Sequence, residues 1–262
     1  MNLGVWSTEP SVYVGTGALI SVYLFGMRRL NQDQPGDWGD QRWRVSAFLG
    51  GMFVILLSLV SPLHDLSDRY LFSAHMVQHL LLTMVAPPLL LLGTPGDLLR
   101  PVLRSWLVRE LLDILARPLP AFFFFNVVFS ASHLPSFYEL TLRDHPVHIL
   151  EHWVFIAAGV LTWWPIFSPL EEYPRLPYPL PLLYLFFQTI SGFAVGSLIT
   201  LSSEPLYPFY AAAARVTGLS AIADQQLGGL IMWVGANTYI LFVLTTLFFI
   251  WATAEERKDR AA

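Results

Sequence analysis

Cysteine is absent from this 262-residue chain. That excludes disulfides, thiolate zinc sites and a cysteine nucleophile, and leaves His, Met, Asp and Glu as the side chains able to hold a metal. Charge is also scarce. Asp, Glu, Lys and Arg make up 13% of the residues, against roughly 25% in a soluble domain. With 55% hydrophobic residues, 15% aromatic residues and a mean hydropathy of +0.53, the chain is expected to have lipid as its main solvent. Net charge is −4 and the basic residues sit in short connecting stretches, so nucleic acid is not expected as a partner. There is no nucleophile-and-base constellation, no phosphate loop and no suitably spaced pair of acids. An enzyme is therefore not the favoured reading, although an open metal position that activates water is one route to a membrane metalloenzyme. The opening residues MNLGVWSTEP lack the basic n-region of a secretory signal, so the first apolar run is expected to be retained as a helix.

Lipid requires about 20 mostly apolar residues per crossing helix. Seven segments qualify: 11–27, 43–61, 72–93, 118–134, 147–168, 180–202 and 226–251. Turn-rich breaks separate them at Asn31 to Asp40, Ser61-Pro62, Gly93-Thr94-Pro95-Gly96, His133-Leu134-Pro135 and Pro174 to Pro181. The expectation is an all-α polytopic bundle forming one integral membrane domain over residues 1–262. With the N-terminus outside, twelve Lys and Arg fall in inner segments: Arg28, Arg29, Arg42, Arg44, Arg100, Arg104, Arg109, Arg117, Arg175, Arg257, Lys258 and Arg260. Only Arg69, Arg143 and Arg215 fall outside. That asymmetry predicts an N-out, C-in topology. Trp163 and Trp164 then belong near the inner interface, where aromatic belts form.

All seven histidines fall toward the outer side of this topology. His64 follows the second segment, His75 and His79 open the third, and His133 closes the fourth. His145, His148 and His152 open the fifth. Asp224 and Gln225 begin the last segment at the same depth, and Asp65, Asp68, Glu139 and Asp144 add negative charge around the layer. His75 with His79, and His148 with His152, stand four residues apart, which stacks each pair on one helix face with Cβ atoms about 5–6 Å apart. Such pairs can share one ion or hold two adjacent ones. Single histidines near helix ends are more often water- or backbone-bonded, and that is the plainer reading of His64, His133 and His145. Two pairs at one depth, in a solvent where polar groups are costly, favour a metal site over packing. Asp224 is a candidate further ligand or an anchor for one imidazole. Glu151 beside His152 is not in the HExxH order of zinc proteases, which leaves it as second-shell support or a solvated acid. Met76, Met84 and Met232 read first as packing, and Gly228, Gly229 and Gly192-x-x-x-Gly196 as helix-packing positions. Imidazoles without thiolates suit copper, zinc, iron or nickel, and copper is favoured in the affinity series. Zinc and a bis-histidine haem stay open alongside copper.

The segment His75-Met76-Val77-Gln78-His79-Leu80-Leu81, continuing to Pro87-Pro88-Leu89-Leu90-Leu91-Leu92-Gly93-Thr94-Pro95, resembles the opening signature of the CtaG family. This is the Bacillus-type, seven-helix cytochrome c oxidase assembly factor. His148-x-x-x-His152 with Glu151 and then Trp163-Trp164-Pro165 resembles its central signature. Pro205-Leu206-Tyr207-Pro208 and Asp224-Gln225-Gln226-Leu227-Gly228-Gly229-Leu230-Ile231-Met232-Trp233 resemble its last. The likeness runs from about residue 10 to 252. It implies a multi-pass protein of the cell (plasma) membrane that helps mature a haem–copper oxidase, with oxidase subunits and membrane lipid as partners and a role in supplying copper to the catalytic subunit. Set on those motif positions, His75, His79, His148, His152 and Asp224 are the expected metal residues. The rival readings are a haem-binding redox protein that exchanges electrons with quinol, and a metal-free scaffold for an oxidase subunit.

Overall fold

The computed structural model describes residues 6–33 and 38–261, so part of the break expected at Asn31 to Asp40 lies outside the described residues. Every regular element among the described residues is helical. In chain order the principal helices are α1 (Pro10–Asp33), α2 (Trp38–Val60), α3 (Pro62–Arg69), α4 (Phe72–Gly93), α5 (Trp106–Leu115), α6 (Pro118–Ser132), α7 (Pro135–Arg143), α8 (His145–Phe167), α9 (Leu180–Leu201), α10 (Pro208–Ala212) and α11 (Ala221–Arg260). Six of them, α1, α2, α4, α8, α9 and α11, are long and apolar enough to cross a membrane.

The crossing expected over 118–134 is built differently. Helix α6 has 15 residues, which at 1.5 Å each reach about 22 Å of a roughly 30 Å hydrocarbon core. Its predecessor α5 meets it at 89°. Pro118 and Pro120 explain the corner, because proline is accepted in a first helical turn and cannot continue a helix that arrives from upstream. Among the described residues, the helices able to cross therefore number six, or seven if the bent α5–α6 pair is one span.

Helices α4 and α8 form the centre, each burying 56% of its apolar stretch against 17% for α1. Around α4 pack α2, α3, α8 and the start of α11. Two features of the α4 sequence set its path. A π-turn spans Leu81–Val85, and Pro87 just beyond it has no N–H to donate to the Thr83 carbonyl four residues back. That freed carbonyl accepts the indole N–H of Trp163 on α8 at 3.0 Å. Trp163 and Trp164 are both buried, so the interfacial belt expected of them is not what they form. An orphaned backbone acceptor draws Trp163 inward. Gly159 permits the approach, since a Cβ there would lie 2.9 Å from Pro87 Cγ and 3.0 Å from the Thr83 carbonyl oxygen. A matching π-turn spans Ile231–Gly235 in α11, and α11 meets α9 where a Cβ on Gly229 would come within 2.8 Å of the Gly196 carbonyl oxygen.

The α2–α4 contact is equally tight at Gly93. A Cβ there would stand 2.4 Å from Phe48 N and 2.7 Å from Arg44 O, which are backbone atoms that cannot swing aside. Gly93→Ala is expected to cost about 1–3 kcal/mol, the usual range for forced overpacking, read as a lowered unfolding temperature in detergent. Gly15→Ala, where a Cβ meets nothing within 4 Å, is the control expected to leave it unchanged.

Candidate metal centre

The first residues of α4, α8 and α11 meet at one end of the bundle, together with the short helices α3, α7 and α10. Capping fixes where these helices begin. The Ser61 hydroxyl accepts from Leu63 N at 3.2 Å at the start of α3, and Asp144 accepts from Val147 N at 3.1 Å at the start of α8. From those starts the i, i+4 spacing turns His75 and His79 of α4, and His148 and His152 of α8, toward one another.

His75, His79 and His152 are buried, and each offers one ring nitrogen within 4.8 Å of the other two. His75 Nε2 lies 2.8 Å from His79 Nε2. The proton positions follow from Tyr210. Burial pushes its phenol well above the ordinary value, so the hydroxyl keeps its one proton and donates it to the Ser67 carbonyl at 2.6 Å. At 2.8 Å from His75 Nδ1 the same oxygen must then accept, so His75 carries its proton on Nδ1 and presents a lone pair at Nε2. His79 donates from Nε2 to that lone pair, and its Nδ1 is buried without a hydrogen-bond partner. His152 Nε2 is also buried and unpartnered. Three imidazoles thus converge at one buried point, where His79 Nδ1 and His152 Nε2 have no hydrogen-bond partner, and buried polar atoms left in that condition call for an explanation.

His148 borders this cluster, its ring centroid 5.7 Å from that of His75. With His64 and Asp68 of α3 it forms a second group whose ligand atoms also lie within 4.8 Å of one another. Asp68 Oδ1 is 3.4 Å from His64 Nδ1 and 3.3 Å from His148 Nε2. Burial lowers the His64 imidazole, with Asp68 acting against it. Burial alone would raise Asp68, but the imidazoles of His148, His64 and His152 hold its carboxyl below the ordinary value. Gln78 steadies this group, its amide lying 3.1 Å from His64 Nδ1 while donating to the Ser58 carbonyl at 2.8 Å. The rings of His148 and His152 are 4.4 Å apart, centroid to centroid, so the two groups adjoin.

Asp224 is not among these ligand atoms. Its carboxylate accepts from Phe72 N at 2.8 Å, from Ser73 N at 3.3 Å and from the Ser73 hydroxyl. It caps α4 from α11, at a helix start where Leu71 supplies no side-chain cap. Glu151 is buried, 3.8 Å from His148 Nδ1, so the solvated reading of that acid does not hold. His133 donates from Nδ1 to the Phe129 carbonyl at 2.6 Å, and its ring centroid is 6.1 Å from that of His79. His145 is exposed and stands apart. Below His79, a cavity of about 40 Å³ is lined by Met76, Met84, Met232, His133 and Asn237 among others.

The reading of isolated motifs missed His64, Asp68 and Tyr210. For the first two a signal existed, because His64 and Asp68 are a third i, i+4 pair of potential ligands. Tyr210 lay just past the Pro205–Pro208 motif and carried no pattern of its own.

The cytochrome c oxidase caa3 assembly factor family matches residues 21–254. The chain belongs to that family. Uncharacterized proteins of Mycobacterium bovis and Mycobacterium tuberculosis are each 31% identical over 97% of the chain, and one of Mycobacterium leprae is 27% identical over 82%. The chain spans only 40%, 40% and 35% of the length of these relatives. No solved structure is significantly similar to it. The caa3 assembly factor signature accordingly covers the whole helical bundle from within α1 to within α11, and with it both groups of ligating side chains.

Proposed function

We propose that this caa3 assembly factor binds copper at the extracytoplasmic membrane face through His75, His79 and His152 and passes it to the catalytic subunit of a haem–copper oxidase. The observation that carries the reading is the convergence of three ring nitrogens, from two helices, at one buried point. The distribution of Lys and Arg supports an N-out, C-in orientation and so puts that point at the outer face. Plasma membrane placement is supported by the family's association with an oxidase.

Copper fits the donors better than the alternatives do. Metal–imidazole bonds of 2.0–2.1 Å place two nitrogens on one ion about 2.9 Å apart at a right angle, close to the 2.8 Å between His75 and His79. Thioethers select Cu(I), and three methionines line the cavity beside His79. A haem needs a pocket of several hundred cubic ångströms, whereas the cavity at this site offers about 40 Å³. The test is elemental analysis and an absorption spectrum on one purified sample washed with chelator. Copper retained in stoichiometric amount with no Soret band is the expected result. Absence of copper, or a Soret band, overturns the reading.

Tyr210 orients the site by accepting the hydrogen bond from His75 Nδ1–H, which fixes the ring and leaves Nε2 as the nitrogen that faces an ion. Tyr210→Phe keeps the ring and removes that acceptor. It is expected to weaken copper binding by roughly 10–100-fold, measured by competition with a chelator of known affinity, while the copper-free protein unfolds within a few degrees of wild type.

A further inference from the structure

Two groups of ligating atoms adjoin at this end of the bundle, and only the buried one has been used above. We propose that His64, Asp68 and His148 form a second metal site, for a divalent first-row ion, at the mouth of the imidazole cluster. The inference rests on the copper reading only in calling this site the outer of two.

Geometry is the first support. Donors about 2.05 Å from a tetrahedral ion stand about 3.3 Å apart. Asp68 Oδ1 is 3.4 Å from His64 Nδ1 and 3.3 Å from His148 Nε2, so both edges already have the required length. Unsatisfied bonding is the second. His148 is buried, its Nδ1 has no hydrogen-bond partner and its Nε2 faces the Asp68 carboxylate at 3.3 Å, although α8 could have placed any apolar side chain there at lower cost. The third is the charge of the donor set. Two imidazoles with a carboxylate form a harder site than three imidazoles beside thioethers, and harder sites favour Cu²⁺ or Zn²⁺ over Cu(I). Glu151, buried and 3.8 Å from His148 Nδ1, adds a second carboxyl group behind it.

Exposure gives the order of the two sites. The side chains of His64 and Asp68 are 18% and 25% exposed and that of His148 is 6% exposed, whereas His75, His79 and His152 are all buried. An ion arriving from water meets α3 first. His148 forms the wall between the sites, its ring centroid 4.4 Å from His152 and 5.7 Å from His75. The exposed group thus receives the ion, and the buried group holds it out of water.

Equilibrium dialysis of the purified full chain against Cu²⁺, with bound metal counted by elemental analysis, tests this directly. Wild type is expected to retain two equivalents. Asp68→Asn and His64→Gln are each expected to lose one and keep one, and His79→Ala is expected to lose the other. Electron paramagnetic resonance gives a second reading, because the species lost in Asp68→Asn is the one with an oxygen donor. If wild type holds one equivalent, lost in His79→Ala and untouched in both α3 variants, the outer site is refuted and the copper reading stands. If His79→Ala leaves two equivalents while the α3 variants lose one, the three-imidazole reading fails and the outer site stands. No bound copper in wild type refutes both.

Discussion

His79→Ala is expected to remove copper from the buried site, with affinity falling by at least about a hundredfold. The bound rests on the 10–100-fold cost of losing an outer-shell partner alone, which the loss of a direct ligand exceeds. His79 is the imidazole that joins both halves of the cluster, since its Nε2 touches His75 at 2.8 Å and its ring lies near that of His152. Its imidazole also stacks on Phe155 at 4.3 Å between centroids, so alanine opens a hole as well, and large-to-small changes in a core cost about 2–5 kcal/mol. His79→Gln separates the two effects, because it fills most of the volume without restoring the ring nitrogen. The buried-site copper should be lost from both variants, measured by elemental analysis and chelator competition, while only alanine lowers the unfolding temperature strongly. Exposed His145→Ala should change neither. Copper retained at wild-type affinity in His79→Gln would sink the ligand assignment.

The paired histidines were legible because a helix repeats every 3.6 residues and lipid leaves few other reasons to bury four imidazoles. Their convergence needed only that α4 and α8 be neighbours, which the HxxxH spacing on each makes profitable. What escaped the sequence was partnership between distant segments. Asp224 looked like part of the metal layer because depth is readable from hydropathy, whereas rotation about the α11 axis is not, and rotation aims its carboxylate at the start of α4. Trp163 looked interfacial because the topology read from Lys and Arg places it near the inner end of its span. Its indole instead answers a carbonyl freed by Pro87, seventy-six positions earlier. The α3 helix was hidden because its eight residues, four of them charged or titratable, are too few and too polar to read as a membrane helix. Once α3 exists, His64 and Asp68 fall on one face of it, and the second group of ligands follows.

Asp224→Ala should be among the most damaging single substitutions in the chain, expected to cost roughly 3–5 kcal/mol, the scale for removing one partner of a buried ionic hydrogen-bonded set. The carboxylate is fully buried, and its two oxygens serve three donors on Phe72 and Ser73. Those backbone N–H groups open a helix and have no acceptor within it. They also carry the positive end of the helix dipole, which favours a negative cap. Because the capped turn lies just before His75, alanine is expected to lower copper affinity along with stability, and for that reason alanine alone does not distinguish a cap from a ligand. Asp224→Asn does. Its side-chain oxygen still accepts from Phe72 N, while its amide meets the Ser73 donors unfavourably. Copper stoichiometry should therefore stay at the wild-type value with an unfolding cost of about 1–3 kcal/mol, the range for one buried donor left unmet. Loss of one equivalent of copper from a stably folded Asp224→Asn protein would instead make the carboxylate a ligand, and the site would have to be redrawn around the start of α11.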